Sequence, residues 1–172
     1  MTATTPTRIL ADAFGRVHEE IPQLLGGLDR DALTWRPDAD ANSIGWLIWH
    51  LSRVQDDHVA GVGGVEQVYP SQGFVDRFAL PYPASAVGYG QTSAEVGAFS
   101  VDGPDLLVAY HDAVHAMTLE VINSLVDEGY GRIVDERWDP PVTAAVRLVS
   151  VVNDITQHLG QAAYVLGMYR RR

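Results

Sequence analysis

The sequence predicts an all-α fold, a four-helix bundle. Three observations lead to it: four amphipathic segments with apolar residues at helical spacing, cap or breaker residues at their ends, and one long crossover between the second and the third. At 172 residues, with no internal repeat, low-complexity tract or linker, the chain reads as a single domain over residues 1–172, large enough to bury a real core.

The first helix is expected from Pro6 to Leu25. Thr5 suits its N-cap and Pro6 its first position, and Ile9, Leu10, Ala13, Val17, Ile21 and Leu24 recur at helical spacing up to Gly26-Gly27. Pro22 predicts a kink or an early end. A connecting stretch, Leu28 to Asp38, leads to a second helix capped by Asn42 or Ser43. Its stripe is Ile44, Leu47, Ile48, Leu51 and Val54, fading near Ala60 before Gly61-Val-Gly-Gly64. From Gly61 to Gly103 there is no clear period. Gly, Pro and aromatic residues dominate, and Thr92-Ser-Ala-Glu95 predicts one short capped helix ending near Phe99. So long a connection in a compact domain is commonly functional, and its aromatics favour an ordered loop packed over a cleft. The third helix should begin near Pro104 and carry Leu106, Leu107, Tyr110, Val114, Met117, Val121 and Leu125. The fourth is expected just after Asp139-Pro-Pro141, read as an N-cap with proline at the first position, and to run on through Val149, Val152, Ile155, Leu159, Ala163 and Leu166.

Composition narrows the function. A net charge of −10 and scattered basic residues argue against nucleic acid. The one basic cluster, Arg170-Arg171-Arg172, reads as cations at the negative end of a helix dipole. Short, interrupted apolar runs predict no membrane span, and the N-terminus has no secretory pattern, so a cytoplasmic location is expected. The chain contains no cysteine. Disulfides, thiolate metal sites and protein-borne thiol nucleophiles are therefore excluded, and any metal must be held by histidine and carboxylate.

Asp154 and His158 stand four residues apart and project from one face of the last helix, one turn from each other. Such a pair can hold one metal ion and needs one partner from another helix to complete an open three-ligand site. His50, on the flank of the second helix's stripe, offers that partner. The same positions equally suit histidines hydrogen-bonded at a bundle surface. A competing pair, His111 and His115, lies off the apolar stripe of the third helix and is expected to face solvent, as are His18 and His58. Trp46 and Trp49 read as packing residues. Gly61-Val-Gly-Gly64 and Gly88-Tyr-Gly90 lack the setting of a phosphate loop, and no Gly-x-Ser-x-Gly elbow is present.

Leu33-Thr-Trp-Arg-Pro37, Ala41-Asn-Ser-Ile-Gly-Trp-Leu-Ile-Trp-His-Leu51 and Asp154-Ile-Thr-Gln-His-Leu-Gly-Gln161, in this order, resemble the DinB-like superfamily. These are metal-binding four-helix proteins that include the mycothiol-dependent maleylpyruvate isomerases. The resemblance implies an up-down-down-up bundle and a metal held by His50, Asp154 and His158. Many members have His where this chain has Asp154, and the maleylpyruvate isomerases have Glu; aspartate is a shorter oxygen ligand. Zinc is the first expectation for two histidines and a carboxylate, with nickel, iron and manganese as alternatives. The implied activity is thiol chemistry: S-transfer to, or isomerisation of, an electrophilic small molecule, with mycothiol or bacillithiol as co-substrate. Tyr69, Phe74, Phe78 and Tyr82 are the expected walls of the substrate pocket. Two alternatives stand beside it. One is a metal-dependent hydrolase with Asp57 as base. The other is a non-catalytic binding or stress-related bundle. A homodimer is compatible with so apolar a bundle.

Overall fold

The computed structural model describes residues 5–172. In chain order the elements are α1 (Pro6–Leu25), α2 (Arg30–Thr34), α3 (Ile44–Gly63), α4 (Val68–Ser71), α5 (Phe74–Phe78), α6 (Ser93–Gly97), α7 (Asp105–Ser124), α8 (Asp127–Tyr130), β1 (Ile133–Asp135), β2 (Val142–Thr143) and α9 (Ala144–Tyr169). The four long helices form the bundle that the sequence predicts. None of the described helices is long and apolar enough to cross a membrane.

Local chemistry accounts for the helix starts. The Thr5 side chain accepts from the Arg8 amide and the Ser43 side chain from the Trp46 amide. Thr92 and Glu95 form a reciprocal capping box on α6. Pro22 neither ends nor shortens α1, which runs through it to Leu25. The expected start of the last helix is corrected. Asp139-Pro-Pro141 lies in a turn, with a cis Asp139–Pro140 peptide. The helix begins at Ala144, where the Thr143 hydroxyl accepts from the Val146 amide. The reason is non-local: Ile133 pairs with Thr143 and Asp135 with Val142, and this small hairpin takes up the proline segment before a helix can form.

Side-chain contacts give the topology. Thr7 on α1 reaches Ile122 late on α7, and His18 reaches Asp112 near its start, so these helices are antiparallel. Ser52 meets His111 and Gln55 meets Thr118, so α3 and α7 run the same way. Arg132, whose carbonyl accepts from the Ala144 amide at the start of α9, reaches the Val62 carbonyl at the end of α3, which makes α3 and α9 antiparallel. The order is up-down-down-up, with α3 wedged between α7 and α9.

That position buries α3 all round. Every residue from Ile44 to Asp56 is buried, including His50, Ser52, Arg53, Gln55 and Asp56. The sequence places His50 on a flank, but the segment between α3 and α7 wraps over that flank and closes it. Arg53 fastens the wrap. Its guanidinium is wholly buried and donates to the Ala86 carbonyl, Asp56, Tyr110 and Gln67, while lying 4.4 Å above the Tyr69 ring. Asp56 in turn accepts from the Val68 and Tyr69 amides. Burial pushes the Asp56 carboxyl up, against the four donors that hold it down.

A second correction concerns His111 and His115. His111 is 1% exposed and His115 half-buried. The ring of His18 stacks on His115 at 4.2 Å and on His111 at 5.9 Å, while its Nε2 meets Asp112 at 2.9 Å. The expectation of solvent fails because α7 is covered by α1 as well as α3, which widens its buried arc beyond one stripe.

Candidate metal centre

His50 stands midway along α3, and Asp154 and His158 stand one turn apart on the antiparallel α9. The bundle brings one ligand atom of each within 4.8 Å of the others. His158 Nε2 is 3.7 Å from Asp154 Oδ1, and the two imidazoles meet edge to face with centroids 4.7 Å apart.

The surrounding bonds set both tautomers. A carbonyl can only accept, so His50 Nδ1 donates to the Val87 carbonyl and leaves the Nε2 lone pair free. His158 Nδ1 donates to Gln161 Oε1 at 2.9 Å, which likewise frees its Nε2. Trp46 stacks on the His50 ring at 4.7 Å and is itself tied by Nε1 to Gln91. Burial lowers the His50 pKa, helped by neighbouring His158 and opposed by the Val87 carbonyl and Asp154. The neutral imidazole, the form that ligates metals, is thereby favoured.

Asp154 decides whether a cation fits. Its Oδ2 accepts from the Tyr89 phenol at 3.4 Å, while its Oδ1 is buried without a hydrogen-bond partner among the described residues. A buried, unpaired carboxylate oxygen is costly. A divalent cation shared with the two free Nε2 atoms would satisfy it. Two imidazoles and one carboxylate are a competent three-ligand set, so these residues can hold a metal ion.

The four rings expected as pocket walls pack within the crossover and against the bundle. Tyr69, Phe74 and Phe78 are buried around Tyr110, at ring distances of 5.3, 4.9 and 5.7 Å. Tyr82 packs on Trp49 at 5.3 Å and donates to the Glu95 carbonyl. These rings supply the core that a long crossover needs in order to stay folded on the bundle, and none of their ring contacts is with the triad. The crossover aromatic whose ring does meet the triad is Tyr89, 5.2 Å from the His50 ring. Sequence reasoning passed over it, although the flanking glycines marked an unusual backbone. Burial, and then the charge of Asp154, push the Tyr89 phenol up to about 12. Asp57 hydrogen-bonds Gln67 and pairs with His58 rather than with any member of the triad. One turn beyond His158, a largely apolar cleft of about 600 Å³ is lined by Leu47, Gln157, Gln161, Tyr164 and Met168, among others. Gln161 both lines the cleft and hydrogen-bonds His158 of the triad.

An up-down-down-up bundle with two histidines and an aspartate converging from α3 and α9 defines a helical protein with a candidate divalent-metal site. The chain belongs to the DinB superfamily, whose family model matches residues 13–162. It is similar to a crystal structure of a conserved protein from Enterococcus faecalis, with 29% identity and a TM-score of 0.89 over 95% of this chain and 96% of that one. No curated protein matches the sequence.

Proposed function

We propose that this protein is a metal-dependent cytoplasmic enzyme that uses a low-molecular-weight thiol, of the mycothiol or bacillithiol type, for S-transfer to or isomerisation of an electrophilic small molecule. The observation that carries the reading is the unpartnered Asp154 Oδ1 in a cluster with two imidazoles whose tautomers leave Nε2 free. His50, Asp154 and His158 would hold the ion, zinc first, with nickel, iron or manganese accepted by the same ligands. A divalent cation there supplies a Lewis acid that makes a small thiol or a water nucleophilic at neutral pH. The absence of cysteine is consistent with a nucleophile that comes from solution.

The chain's own residues do the rest. Val87 and Gln161 hold the two imidazoles in their ligating tautomers. Trp46 covers one face of His50 and keeps water from it. The apolar cleft past Gln161 accepts the non-reacting part of the acceptor.

Metal content of untagged wild type and His158→Ala tests the reading, followed by turnover of an electrophilic acceptor with and without 2-mercaptoethanol. Near-stoichiometric metal, lost in the variant, and thiol-dependent turnover are expected. A wild type that takes up no metal after reconstitution would overturn it. Ester turnover independent of thiol would assign a hydrolase instead.

A further inference from the structure

Gly88-Tyr-Gly90 is not a phosphate loop, and its geometry points to another use. Gly88 has φ 100° and Gly90 φ 71°, both in the left-handed region that favours glycine. A Cβ on Gly88 would lie 2.5 Å from His50 Nδ1 and 3.0 Å from the Trp46 ring, so the backbone here is pressed directly onto the ligand. The two glycines turn Tyr89 over the triad. Its ring stands at 89° to the His50 ring, its hydroxyl reaches Asp154 Oδ2, and 57% of the residue remains exposed.

That hydroxyl is loosely engaged. Oxygen-to-carboxylate hydrogen bonds usually measure about 2.5–2.7 Å, whereas this one is 3.4 Å. Three other donors around the triad are already committed: His50 Nδ1 to Val87, His158 Nδ1 to Gln161 and Trp46 Nε1 to Gln91. A phenol carries its proton at neutral pH and can turn it to either side of the C–O bond in the ring plane. Tyr89 therefore has a hydrogen that it can give to another acceptor without breaking a strong bond.

We propose that Tyr89 is a substrate-contacting residue, whose phenol leaves Asp154 to donate a hydrogen bond to an anionic oxygen of the molecule held beside the triad. The ligand class is one with a carbonyl or carboxylate oxygen, on which charge is present or develops. The inference rests on the metal reading of the triad given above.

Cobalt(II)-loaded wild type and Tyr89→Phe, each titrated with acetate and with bromide and followed by the visible cobalt bands, test it. The phenylalanine ring keeps the contact with His50 and removes only the hydroxyl. Acetate offers a second oxygen to the phenol, and bromide offers none. Acetate affinity is expected to fall about tenfold in the variant, the effect of one lost hydrogen bond to a charged group, with bromide affinity unchanged. Equal acetate affinities would overturn the proposal and leave the metal reading intact. A parallel loss for bromide, or failure of the variant to hold cobalt, would assign the hydroxyl to supporting Asp154 and also overturn it. A wild type that takes up no cobalt would sink the metal reading itself, and this inference with it.

Discussion

At Gly88 the backbone has no room for a side chain. Alanine there must adopt a positive φ and place its Cβ against His50 Nδ1. Gly88→Ala is expected to cost about 1–3 kcal/mol of stability from backbone strain and crowding, and to weaken metal binding because the Val87 carbonyl is displaced with it. Urea unfolding alongside metal content checks both effects; unchanged metal affinity would show that His50 holds its tautomer without Val87. Arg53→Met makes a different point. It leaves Asp56 buried without its cation and frees the Ala86 carbonyl, one residue from the Val87 contact to His50. Removing one partner of a buried pair costs roughly 3–5 kcal/mol, so the variant should unfold at a markedly lower denaturant concentration. The triad was legible because Asp154 and His158 share a helix face and His50 is the partner offered by another helix. Tyr89 was not: its position over the triad depends on two left-handed glycines whose conformation no residue spacing reveals.

At the scale of elements, α1 and α7 are joined through His18, His111 and His115, and this seam should be acid-sensitive. His111 is lowered to about 3 and His115 to about 4, by burial first and then by the nearby charge of His18, with Asp112 opposing at His115. His111 Nδ1 meets the Ser52 hydroxyl, and its Nε2 is buried with no partner among the described residues. The folded state thus takes up these protons later than the unfolded chain, whose histidines titrate near 6.5. Stability should be full above that value, fall as the pH drops below it, and level off once the folded-state values are passed. Between pH 7 and pH 5 the loss from His111 alone is about 2 kcal/mol. Denaturant midpoints across that range, for wild type and His111→Leu, measure it; equal slopes in both proteins would refute this origin. The four long helices could be read from the sequence because period and cap chemistry agree in each. The start of α9 could not, since Asp139-Pro-Pro141 mimics a helix entry and only pairing between residues 133–135 and 142–143 overrules it.

At the scale of the molecule, the metal proposed at the triad would be linked to the fold through α3 and α9, which carry the three candidate ligands. An ion bound only by the folded state stabilises it by about 2.7 kcal/mol at a hundred times its dissociation constant. Adding excess zinc to the chelated protein should therefore raise its Tm. The same addition should leave His158→Ala unmoved; a rise in both would place the ion elsewhere.

Apolar periodicity, caps and composition were enough to determine four helices, an acidic chain without cysteine, and a DxxxH pair on one helix face. These are local properties, dictated by side-chain chemistry and the 3.6-residue repeat. Tertiary structure alone decided that α3 would be buried on every side, that His111 would turn inward, and that an aromatic crossover would serve as core while Tyr89 reached the triad. Burial depends on what each helix face meets. Those partners lie tens of residues away along the chain, beyond the reach of any local pattern.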